Sequence, residues 1–229
     1  MDYFQQQAYT GLFVGTIMMI SLHNLTISIF LFKVRETKFS NLLKIIFNFS
    51  NLLRFGSIYG TYMTPDIVAL SECIALEYLA TIGNVGVRVT LTAFLLWRLK
   101  QIHNENKEKW ICIILLVIRT ILALPQLIFQ RPKVVSFPDQ NLVICDPNVD
   151  TFRVYLFAGM IVEFFIDIYV TARLVQILNK ANKNVAQLSS NIDKKNKRTI
   201  FTAVTYWNFL RLFVVSIYHI SVFIDLFSI

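Results

Sequence analysis

The sequence predicts an all-α integral membrane protein: six transmembrane helices in one bundled domain over 1–229, with a short β-hairpin in the second outer loop. Three observations predict it. Apolar residues fill 55% of the 229 positions, with 20 Phe against 7 Gly and 5 Pro. They fall in long blocks, whereas helices around a soluble core interleave polar faces every few residues. The Lys and Arg residues gather in alternate connections between those blocks, as they do in polytopic membrane proteins.

The predicted helices are 9–32, 39–63, 70–97, 110–130, 152–178 and 199–225. Each reaches the roughly 20 residues needed to cross a hydrocarbon layer of about 30 Å, and the longer ones allow tilt or extension into water. The first block is too long for a signal-peptide core and has no basic stretch before it, so it reads as a span that also serves as targeting signal. Connections are short except for 131–151 and 179–198, and no internal repeat or low-complexity linker interrupts them. Within 131–151, Lys133-Val134-Val135-Ser136-Phe137 and Leu142-Val143-Ile144-Cys145 are β-favouring runs. They flank Pro138-Asp139-Gln140-Asn141, a turn-forming tetrapeptide. A hairpin is expected there, with an irregular loop as the alternative.

Orientation follows from the cations. Lys33, Arg35, Lys38 and Lys44 lie around the first connection, and Arg98, Lys100, Lys107 and Lys109 around the third. Arg173, Lys180, Lys183, Lys194, Lys195, Lys197 and Arg198 follow in the fifth, which places 15 of the 22 basic residues on one side. The other side holds Arg131, Lys133 and Arg153 beside Asp2, Asp66, Glu72, Asp139, Asp146 and Asp150. The positive-inside rule puts the first side in the cytoplasm and both termini outside. A net charge of +8 distributed this way argues against a nucleic-acid partner and for the lipid bilayer.

Cys73 falls at the outer end of the third helix and Cys145 late in the second outer loop. Both would face an oxidising compartment, which permits a bridge between them. Ordinary buried or interfacial thiols are the other reading, and Cys112 has no evident partner. No zinc spacing occurs, so neither a metal nor a cofactor is expected.

These residues resemble the rhodopsin-like G-protein-coupled receptors. That family joins the outer end of helix three to the second outer loop by a disulfide, often behind a hairpin, and carries an Arg 25 residues after the bridging Cys. Here that position is Arg98, in Trp97-Arg98-Leu99. Asn24 matches the helix-one Asn, Ser40-Asn41 the entry to helix two, and Asn51 the sodium-binding Asp. Pro125 and Tyr169 are weaker parallels. The acidic neighbour of the Arg, the helix-five Pro and the Cys-Trp-x-Pro of helix six have no counterpart, although Trp207 is present. No seventh helix with Asn-Pro-x-x-Tyr follows. The resemblance thus implies a six-helix or truncated form of a seven-transmembrane-receptor-like bundle in the plasma membrane. It would take an extracellular ligand and face a heterotrimeric G protein through Arg98 and Tyr169. Simple snorkelling of a basic residue at a helix end explains Arg98 equally well.

Charges inside the spans form a second set. Arg54, Arg88, Arg119 and Arg211 are basic, and Glu77, Glu163 and Asp167 are acidic. A charge at the bilayer centre is costly, so these groups should face inward and pair. Glu163 and Asp167, four residues apart, share a helix face and are expected to meet Arg211 or Arg119. Arg54 is expected to meet Glu77. With Asn24 and Asn51 they make an intramembrane polar core, serving either a cavity and switch or helix order alone. No catalytic motif stands out, so no enzyme is expected. The alternative to a receptor is a six-helix transporter or channel subunit using Glu163, Asp167 and the Arg residues.

Overall fold

The computed structural model describes residues 3–34, 38–63, 70–102, 106–137, 142–148 and 152–188, with 206, 209–210, 213–214, 216–217 and 220–221. They form five helices and one two-stranded sheet: α1 (Tyr3–Val34), α2 (Lys38–Met63), α3 (Leu70–Ile102), α4 (Asn106–Phe129), β1 (Lys133–Phe137), β2 (Leu142–Asp146) and α5 (Arg153–Leu188). The described positions between 206 and 221 are helical. The rest of the predicted sixth helix, 199–225, lies outside the described residues, as does the predicted turn at 138–141.

Among the described residues, four helical segments are long and apolar enough to cross a membrane: Ala8–Val34, Leu70–Gln101, Asn106–Phe129 and Arg153–Lys180. These are compatible with an integral membrane protein. Expected as a span, α2 is not among the four, because Asn41, Lys44, Asn48, Ser50, Asn51, Arg54 and Ser57 dilute its apolar character. Helices α3 and α5 outrun their predicted ends, reaching Ile102 and Leu188 instead of 97 and 178. A helix satisfies its own backbone hydrogen bonds and need not stop where the hydrophobic block does.

Burial is distributed inside out. On α4, Trp110, Ile114, Val117, Ile121, Leu124 and Ile128 are exposed at alternating spacings of four and three, which makes one continuous stripe. The same helix buries Cys112, Arg119 and Ala123. Trp110 is 66% exposed and Arg119 only 2%. Ser21, Ser28, Asn41, Asn48, Ser50 and Ser57 are likewise buried on α1 and α2, while Leu12, Phe13, Met19 and Phe30 lie outward. In water this arrangement would leave large apolar stripes uncovered; in lipid it is the favourable one.

The chain divides into two compact units, 1–94 with 120–156 and 95–119 with 157–229. In the first, α1 and α2 run antiparallel. Asn41 Nδ2 donates to the Leu31 carbonyl at 3.2 Å, and Gly56 sits beside Met18. Gly83 brings α3 against the α2 backbone: a Cβ there would lie 2.5 Å from Arg54 N and 2.7 Å from the Ser50 carbonyl oxygen. Gly86, three residues on, leaves room for the Ser50 side chain. Small residues permit such close approach where lipid supplies no hydrophobic drive between helices. In the second unit, Leu96, Leu99, Cys112, Ile166 and Val170 form the buried core, with Tyr169 packed against it.

Candidate functional site

In the first unit the site is built around one covalent bond. Cys73, in the first turn of α3, forms a disulfide with Cys145 of β2, closing a separation of 72 residues with Cα atoms 5.5 Å apart. Strands β1 and β2 pair antiparallel, placing Val134 opposite Cys145 and Lys133 opposite Asp146. Val134 and Leu76 cover the disulfide, and both of its cysteines are buried. Lys133 Nζ lies 3.3 Å from Asp146 Oδ2, an exposed pair that contributes at most about 1 kcal/mol. Asp146 Oδ1 accepts from the Asn148 amide at 3.0 Å, and Asn148 adopts φ 50°, a left-handed turn that Asn tolerates.

A second attachment lies one turn further along α3. Tyr78 Oη donates to the Gln130 carbonyl at 3.1 Å, and Gln130 Nε2 reaches Glu77 Oε2 at 3.5 Å. Gln130 is 2% exposed and directly follows the end of α4, so it holds the start of the segment entering β1. The sheet is therefore tied to α3 at residues 73 and 77–78. Gln130 was not singled out in the sequence. Its only signal there is a polar residue between an apolar block and a β-favouring run.

The described residues of the second unit include two ion pairs. Arg119 Nη2 of α4 lies 2.8 Å from Glu163 Oε2 of α5, with side-chain exposures of 2% and 17%. Gly159, one turn before Glu163, makes the space, since a Cβ there would lie 2.8 Å from Arg119 Nη1. Arg173 of α5 pairs with Glu108 in the first turn of α4. Glu108 sits between Lys107 and Lys109, and nothing in that charged run singles it out.

The remaining expected site residues fall in both units. Asp167 is half-buried, Arg98 is exposed beside buried Leu99, and the Tyr169 hydroxyl is buried without a hydrogen-bond partner among the described residues. Asn51 and Arg54 are half-buried, and the Arg54 guanidinium lies 5.2 Å from the centre of the Phe55 ring. Asn24, expected within the polar core, is exposed on α1, while Ser21 and Ser28, three and four residues away, are buried. Arg211 lies outside the described residues. Among the described residues no three His, Cys, Asp or Glu side chains are grouped to hold a metal ion. No protein-family model matches the chain, and no curated protein matches it.

Proposed function

We propose that the chain is a receptor-like integral membrane protein of the plasma membrane, its N-terminus and its sheet outside. In this reading six helices, the sixth over 199–225, make the bundle and the β1–β2 hairpin forms a lid above it. A ligand enters from outside, and a heterotrimeric G protein docks near Arg98 and Tyr169 inside. The observation that carries the proposal is the disulfide from the first turn of α3 to β2. It fixes an outer segment to the third helix in the manner of the rhodopsin-like receptors. Expression in cells, a ligand screen and a nucleotide-exchange readout test it. A ligand that raises exchange in the parent chain and not in Arg98→Ala is the expected result; silence across the screen with surface expression verified argues against it.

A second reading is favoured by the Arg119–Glu163 pair, which lies within two membrane-length segments. Buried acids and bases of this kind serve transporters and channels. Solute uptake by cells expressing the chain, lost in Asp167→Asn, would select that reading over the receptor.

A further inference from the structure

A groove of about 390 Å³ runs between α1, α2 and α3, all within the first unit. Its apolar wall includes Ile27, Leu31, Leu91 and Phe94, and its polar lining includes Asn24 and Lys44. Ile27 and Leu91 are 42% and 41% exposed, so the groove opens outward to the face that lipid would cover.

Most of the polar side chains in the groove direct a donor at their own helix. Ser28 Oγ donates to the Asn24 carbonyl at 2.7 Å, Asn48 Nδ2 to the Lys44 carbonyl at 2.7 Å, and Thr90 Oγ1 to the Gly86 carbonyl. The Asn24 amide and the Lys44 ammonium are different. Neither makes a side-chain hydrogen bond or ion pair among the described residues. An ammonium and an amide facing hydrocarbon without partners are unfavourable, and here both line the same groove.

Their depths form a gradient. Lys44 is six residues into α2, about 9 Å from its start at a rise of 1.5 Å per residue, and its stem reaches further toward the surface. Asn24 is ten residues before the end of α1, about 15 Å deep on the same scale. Lys33 in the last turn of α1 and Lys38 at the start of α2 add positive charge at the same ends of these helices.

We infer that this groove holds an anionic phospholipid of the cytoplasmic leaflet, its phosphate on Lys44 and one chain along Ile27, Leu91 and Phe94. The Lys44 ammonium selects an anionic headgroup, and the apolar wall selects a molecule with a tail. The Asn24 amide then meets the ester oxygens below the headgroup. This inference rests on the orientation that places 33–44 at the cytoplasmic surface; it does not depend on ligand-driven signalling.

The test uses the full chain in vesicles of phosphatidylcholine with a minor fraction of phosphatidylserine, followed by mild extraction and mass measurement of retained lipid. The parent chain should retain phosphatidylserine in preference to phosphatidylcholine. Lys44→Gln should reduce that retention about fivefold, the factor expected for one lysine at an anionic surface. Lys44→Arg should preserve it, and Lys100→Gln should leave it unchanged. Leu91→Trp, which fills the groove from its exposed rim, should lower retention of both lipids, and circular dichroism confirms helix content in every variant. Equal retention by Lys44→Gln, equal retention of phosphatidylcholine, or displacement of the lipid by inorganic phosphate overturns the proposal. Labelling of a Lys100→Cys thiol from outside the cell would overturn the orientation itself, which separates that failure from the absence of a lipid site.

Discussion

Arg119 on α4 donates to Glu163 on α5 at 2.8 Å, and the guanidinium has its space because residue 159 carries no side chain. Two oppositely charged groups are thereby held in a segment of otherwise apolar helices. Removing one partner leaves the other buried and uncompensated, which costs about 3 kcal/mol or more. Glu163→Gln is therefore expected to lower the thermal midpoint of the detergent-solubilised protein sharply. The double change Arg119→Met with Glu163→Met should recover much of the loss. Losses that add in the double variant would show that the two residues do not act as a pair.

The Cys73–Cys145 bond closes a loop of 72 residues, for which the loop-entropy model gives about 4 kcal/mol of stabilisation. A maleimide reagent should label Cys112 alone in the unfolded, unreduced chain, and all three cysteines after reduction. Cys73→Ser should unfold at distinctly lower temperature than the parent. Three labelled thiols without reductant would show the bridge to be absent.

Gly83 and Gly15 offer a matched comparison. A methyl group at 83 would press on the α2 backbone at Arg54, whereas one at 15 meets nothing within 4 Å. Gly83→Ala is expected to destabilise by about 1–3 kcal/mol through overpacking. Gly15→Ala should be neutral or slightly stabilising, since Ala is the better helix former. The difference in thermal midpoint between the two variants is the measurement.

The proposed orientation can be read with single cysteines. In a background with Cys112 replaced by Ser, Lys100→Cys should react with an impermeant reagent only after the cells are opened. Arg131→Cys, exposed just before β1, should react on intact cells. Reversed reactivity would invert the assignment of sides.

The apolar blocks located α1, α3, α4 and α5 to within a few residues at most ends, because the length of a hydrophobic run is a local property of the chain. Sequence alone also placed the β-favouring runs at 133–137 and 142–145, where β1 and β2 form. It offered a bridge between Cys73 and Cys145 because both fall on the predicted outer side, and the two are joined in the structure. What it left open was pairing among side chains. The choice of Arg119 for Glu163 depends on the rotation of two helices about their axes, as does the meeting of Glu108 and Arg173, residues 65 positions apart. The same rotation left Asn24 exposed and buried Ser21 and Ser28. The grip of Tyr78 and Glu77 on Gln130 required α3 to stand beside the end of α4, which no spacing within either segment specifies. Helix existence is set by solvent preference along the chain; contact between helices is set by how their surfaces interlock.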